Sequence, residues 1–184
     1  LSPYEVLVGN VWEGDFDRHV KSAHDLTQEI DIGLLHRFEL GIENKVGLIE
    51  DRAHETSATF EARYTFANWN AIPLNPITSL EYIFGFGTSV KTSSRQSDAS
   101  AARLLLGQNF GEHFGYSLNL SLQQAVSHGD EREFEIAQGI AYGTMKGKLE
   151  LSAERRYTYA TQRGPIDERD EFVIGPSIGW KPTR

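Results

Sequence analysis

At 184 residues with no cysteine, the chain is one domain or at most two and can form neither a disulfide framework nor a thiolate metal site. A net charge of −8 and a pI near 5.2 argue against nucleic acid or an anionic membrane surface as a partner. Mean hydropathy is −0.42 and no run approaches the ~20 apolar residues of a membrane helix, which excludes a helical span but not strands, whose every second residue is polar.

Residues 1–5, Leu-Ser-Pro-Tyr-Glu, have neither a basic nor an apolar leader character, so any signal peptide is expected to have been removed or never to have existed. Residues 4–13 read as a first strand whose apolar side is ambiguous, and the polar, aperiodic residues 14–25 as a loop. Residues 27–48 hold two alternating runs joined by a tight turn at His36-Arg37. Ile30, Ile32 and Leu34 alternate with Glu29, Asp31 and Gly33. Phe38, Leu40, Ile42, Val46 and Leu48 then alternate with Glu39, Gly41, Glu43, Lys45 and Gly47. Period two is the signature of strands with one apolar and one polar face.

After a charged loop at about 49–55, a fourth strand over 56–67 sets Phe60, Tyr64 and Phe66 against Glu61 and Arg63. Pro73 and Pro76 are expected to keep the connection 68–76 from pairing. The fifth strand (77–88) opposes Leu80, Tyr82 and Phe84 to Glu81, Gly85 and Gly87, and a Ser/Thr-rich loop spans 89–99. The sixth (100–110) opposes Leu104 and Leu106 to Arg103 and Gly107; the seventh (114–126) alternates Tyr116, Leu118, Leu120 and Leu122 with small polar residues. The eighth (131–143) opposes Phe134, Ile136 and Ile140 to Glu133 and Glu135. The ninth (148–160) opposes Leu149, Leu151 and Tyr157 to Glu150, Glu154 and Arg156. A loop of 161–169 precedes the tenth strand, 170–181.

No segment has helical periodicity, so the class is all-β, an antiparallel up-and-down meander of about ten strands. The first, third, fifth and ninth connections read as long and charged, the second, sixth and eighth as tight. Transmembrane barrels have that asymmetry, with short turns at one end and long loops at the other. The polar face mixes both charge signs with glycine, which suits a lumen. Aromatics near strand ends, among them Phe38, Tyr64, Phe110, Tyr142, Tyr159 and Trp180, suit interfacial girdles. Asn44, Gln108, Gln124, Gln138 and Arg155 break the apolar face. Asn44, Gln124 and Arg155 are expected near strand ends; Gln138 is accounted for by a bulge or an oligomer contact.

The hairpin Ile32-Gly33-Leu34-Leu35-His36-Arg37-Phe38-Glu39-Leu40-Gly41-Ile42 is similar to the Gly-Leu-x-x-Arg-Phe/Leu-Glu-Leu-Gly hairpin of transporter-like barrels, including those associated with aromatic-compound degradation. Gly175-x-x-Ile178-x-Trp180 resembles the closing assembly signal of bacterial outer-membrane proteins. It departs from that signal at Val173, Pro176 and the trailing Lys181-Pro182-Thr183-Arg184, and the tail reads equally as the start of another turn. The resemblance implies a bacterial outer-membrane location, a single transmembrane β-barrel domain over 1–184 and the lipid bilayer as a partner. A piece of a twelve-strand or larger barrel is left open.

His19, His24, His54 and His128 share one end with Asp15, Asp17, Asp25, Asp51, Asp130 and Glu131, the ingredients of a metal site or a hydrolase. Four separate loops would have to converge, and no pair has ligand spacing on one element; solvated loops explain them more simply. Ser57 and Ser127 beside His54 and His128 carry little specificity for a lipase-like reading. Gly85-Phe86-Gly87 precedes no helix and is no dinucleotide fingerprint.

The stronger lead is the charge of the polar face. Glu29, Asp31, Glu39, Glu43, Glu61, Glu81, Glu133, Glu135, Glu150 and Glu154 accompany only Lys45, Arg63, Arg103 and Arg156. In a wet lumen that acid excess favours cations; in a narrow one the same charges pair into a plug. The expectation is therefore a channel or transporter-like pore for small solutes, without catalysis, cofactor or metal. Its alternatives are a structural or adhesion-type barrel, an outer-membrane hydrolase, and a soluble lipocalin-like binder of a lipophile.

Overall fold

The computed structural model describes residues 1–15, 23–49, 52–86, 98–126, 131–144, 148–162 and 167–180. Ten strands follow in chain order: β1 (Val6–Asp15), β2 (Ala23–Gly33), β3 (Phe38–Ile49), β4 (Arg52–Thr65) and β5 (Ile77–Gly85). Then come β6 (Ala99–Phe110), β7 (Phe114–Ala125), β8 (Arg132–Thr144), β9 (Leu149–Gln162) and β10 (Asp167–Trp180). Each pairs with the next in one antiparallel up-and-down sheet, so the fold is all-β and compatible with a β-barrel. As ordered, the sheet ends on β1 and β10; among the described residues these two are not paired.

The expected turn is a three-residue 3₁₀ turn, Leu35–Arg37, closed by Leu34 N–H donating to Phe38 O at 2.7 Å. His36 (φ 60°) and Arg37 (φ 68°) are both left-handed, the backbone hand that matches the twist of paired strands. With that turn set, register follows. Val8, Ile30, Ile42 and Phe60 fall in one cross-strand row, and Leu7, Asp31, Gly41 and Glu61 in the next. The side of β1 is thereby decided: Val6, Val8 and Trp12 belong to the apolar face. In β7–β10 the rows alternate likewise, Tyr116, Ile140, Ala153 and Pro176 beside Ser117, Gly139, Glu154 and Gly175.

The exposure of the two faces is the reverse of a water-soluble sheet protein. Ile30, Ile42, Phe60, Leu80, Ile140 and Ile174 are exposed, whereas Asp31 and Glu81 are each only 7% exposed. Among the described residues the buried hydrophobics are Ala99 and Ala101 alone. The buried residues of the sheet lie on the polar face of β2–β6; in β7–β10 no described residue is buried on either face.

Three expected boundaries differ. Of the loop anticipated at 14–25, residues 14–15 lie in β1 and 23–25 in β2. Of that at 49–55, Ile49 lies in β3 and residues 52–55 in β4, with a register irregularity at Gly47/Leu48. Of that at 161–169, residues 161–162 lie in β9 and 167–169 in β10. Charged residues there break the apolar alternation, but the ladder is made by backbone N–H and C=O groups, which pair whatever the side chains are.

The connection between β4 and β5 carries no strand, as expected of its two prolines. It docks on β6 instead: Gly107 N–H donates to Leu74 O at 2.7 Å, and Asn75 Nδ2 donates to Gly107 O at 2.7 Å. Leu74 (φ 62°) and Asn75 (φ 39°) turn left-handed between the two prolines, which lets their polar groups reach β6. Asn75 is 3% exposed, and a Cβ on Gly107 would sit 3.3 Å from the Trp69 ring.

Chain contacts group into two compact units, residues 1–64, 79–101 and 125–129 in one, residues 65–78, 102–124 and 130–184 in the other. Each is taken by itself below.

Candidate functional site

In the first unit the polar face gathers around Arg63. Alternation on β4 puts Glu61 and Arg63 on one side, two residues apart, and the β3–β4 register sets Glu39 directly opposite Arg63. The guanidinium grips Glu61 with both edges, Nη2 to Oε2 at 2.6 Å and Nε to Oε1 at 3.1 Å. Its Nη1 donates to Glu39 Oε2 at 3.3 Å and lies 4.0 Å from Asp31 Oδ2.

Asp31 and Glu61 flank Gly41 in their shared row, and a Cβ on Gly41 would come 2.5 Å from Asp31 Oδ1. The missing side chain is what lets two carboxylates lean over one strand. Counting side chains, three carboxylates meet a single guanidinium, so a formal excess of negative charge is held on a partly dry face.

The remaining predicted residues of this unit lie on the same face. Glu29 and Glu43 are direct cross-strand partners, like charges side by side. Lys45 pairs with Asp25 at 2.8 Å rather than with the Arg63 group. Glu81 is buried, with Ser79 Oγ 3.5 Å from its Oε1.

In the second unit the predicted charges are sparser and wetter. Arg156 Nε lies 3.9 Å from Glu135 Oε2; Arg103, Glu150 and Glu154 are exposed and are not drawn into that pair. Between those charges the polar face carries small neutral groups: Ser152 Oγ donates to Ser177 Oγ at 3.0 Å, and a Cβ on Gly139 would meet Ser117 Oγ at 2.7 Å.

The register corrects two expectations about the apolar face. Asn44 and Arg155 do not sit near strand ends. Asn44 lies midway along β3 opposite Gln28, which donates to Asn10 Oδ1 at 3.2 Å. Arg155 lies midway along β9, directly opposite Gln138, and donates from Nε to Gln138 Oε1 at 2.6 Å. Neither a bulge nor a partner is needed to account for Gln138; the cross-strand neighbour satisfies it, a relation the strands' separate patterns do not disclose.

Of the histidines, His24 stacks on Trp12 at 5.4 Å between ring centroids, and His113 Nδ1 lies 2.9 Å from Gly143 O. His19, His128 and Ser127 lie outside the described residues, as does the side chain of His54. Among the described residues no three His, Cys, Asp or Glu side chains converge as a metal site. No protein-family model matches the chain, and no curated protein matches it either.

Proposed function

We propose that the chain is a bacterial outer-membrane β-barrel protein that forms a channel or transporter-like pore for small solutes. The observation that carries this reading is the inverted exposure of the faces. On β2–β5, Ile30, Ile42, Phe60 and Leu80 stand in the open, while Asp31, Ser79 and Glu81 are buried. A sheet with that arrangement is stable where the medium is hydrocarbon, since each apolar side chain left in water forfeits ~1.5–3 kcal/mol. On this reading the carboxylates around Arg63 face the lumen and favour cations over anions.

A second reading is a closed structural barrel, favoured by Arg63 itself. One guanidinium bonded to Glu61 and Glu39 is how a narrow interior fills with paired charge. Planar-bilayer recording on the refolded protein decides between the two. Cation-selective conductance is expected; folded, inserted protein that passes no current ends the pore reading and leaves the filled barrel. Quantitative recovery as a monomer without detergent would end both.

A further inference from the structure

Arg155 stands in the middle of the apolar face of β7–β10. Its row holds Leu118, Gln138 and Ile174. The row on one side holds Leu120, Ile136, Tyr157 and Phe172, and that on the other Tyr116, Ile140, Ala153 and Pro176. Arg155 Nε is taken by Gln138, whose Nε2 in turn donates to the Tyr116 hydroxyl at 3.4 Å. The outer edge of the guanidinium, its two Nη groups, meets no carboxylate among the described residues. Two hollows flank the pair, one lined by Tyr116, Gly139, Ile140, Ala153, Glu154 and Ile174, the other by Ile136, Tyr157 and Phe172.

We propose that Arg155 and these hollows bind a long-chain carboxylate of the fatty-acid class, the carboxylate on the Nη edge and the alkyl chain along a hollow. The Nη edge presents two parallel N–H donors, the spacing that a carboxylate accepts bidentately. Gln138 holds the guanidinium in place by its remaining edge, so little side-chain freedom is left to lose on binding. An uncompensated cation at mid-strand costs ~2–4 kcal/mol against lipid, and a carboxylate relieves that cost.

Charge complementarity selects this occupant over two rivals. A second copy of the chain offers poor partners: among the described side chains of this face the carboxylate is Asp170, already accepting from the Tyr157 hydroxyl at 2.9 Å, and a two-fold contact centred here would oppose the two copies' Arg155 side chains. A phospholipid carries a permanently charged phosphate, held at the interface about 10 Å from mid-face on a band ~25 Å tall. A carboxylic acid can cross the apolar band in its neutral form, which a phosphate diester cannot; it pairs with Arg155 as the carboxylate once its proton has returned to the aqueous phase.

The test is equilibrium binding of radiolabelled palmitate to the refolded protein in non-ionic maltoside micelles at alkaline pH, with heat-modifiable gel migration reporting folding. Arg155→Gln should weaken binding about tenfold or more and Arg155→Lys less, as expected for a charge-assisted bidentate contact. Hexadecanol should bind weakly to the wild type and be indifferent to Arg155→Gln. Equal palmitate binding by wild type and Arg155→Gln, or none by either, overturns the proposal. So does a palmitate-insensitive dimer that Arg155→Gln dissociates, which would make a second copy the occupant. Competition by a dialkyl phosphatidylglycerol as strong as that by palmitate would transfer the site to a phospholipid.

Discussion

Asp31 and Glu61 flank Gly41, three residues of one cross-strand row on β2, β3 and β4, and a Cβ on the glycine would come 2.5 Å from Asp31 Oδ1 and 3.6 Å from Glu61 Oε2. Arg63, one residue pair further along β4, compensates them both. That group is the densest charge on the polar face of the first unit, and its parts are separable by mutation.

Gly41→Ala is expected to destabilise the fold by about 1–2 kcal/mol, because the new Cβ would push into the Asp31 carboxylate, an overpacking cost. Gly175→Ala is the control: a Cβ there would meet nothing within 4 Å, and the substitution should be neutral or slightly stabilising. Denaturant unfolding of both variants in micelles checks the difference; equal midpoints would show that Asp31 moves aside freely.

Arg63→Met leaves Asp31, Glu39 and Glu61 without their shared cation. Breaking a buried pair costs ~3–5 kcal/mol, and the partial exposure of this guanidinium brings the expectation to about 1–3 kcal/mol. The same variant, refolded into bilayers, should become more cation-selective. An unchanged reversal potential would mean that these carboxylates do not line the conducting path.

Ile42→Lys distinguishes lipid from water at the apolar face. Ile42 is 53% exposed, so in water the substitution should fall within about 0.5 kcal/mol of neutral. Facing hydrocarbon near mid-strand, the ammonium should cost ~2–4 kcal/mol. Unfolding titrations in phospholipid vesicles read the value directly, and a cost below ~0.5 kcal/mol would contradict the outer-membrane reading.

Asn75→Ala removes the bond to Gly107 O and the acceptor for Asn70 N–H, both at a residue almost fully buried. Leaving those backbone groups unpaired should cost about 1–3 kcal/mol. Amide exchange should accelerate at Gly107 and in residues 68–76 while β8–β10 stay protected. Uniform loss of protection would show instead that the connection is not a local unit.

Period-two alternation by itself determined that this chain is strands, how many, and, outside β1, which residues share the apolar face, because successive side chains of a strand point to opposite sides whatever lies beyond. It also placed the turn at His36 and Arg37, a local matter of a tight reversal between two runs. What it did not determine is lateral: that Arg63 meets Glu39 and Glu61, that Gly41 makes room for Asp31, or that Arg155 finds Gln138. Those neighbours are set by the stagger between strands. That stagger is fixed by paired backbone groups and by turns such as the one closed from Leu34 to Phe38. For the same reason charged residues at 52–55 join a strand despite breaking the pattern, and Leu74 and Asn75 reach β6 between two prolines. Facing is written in the alternation of side chains; adjacency is decided by the backbone ladder, and only the folded sheet has one.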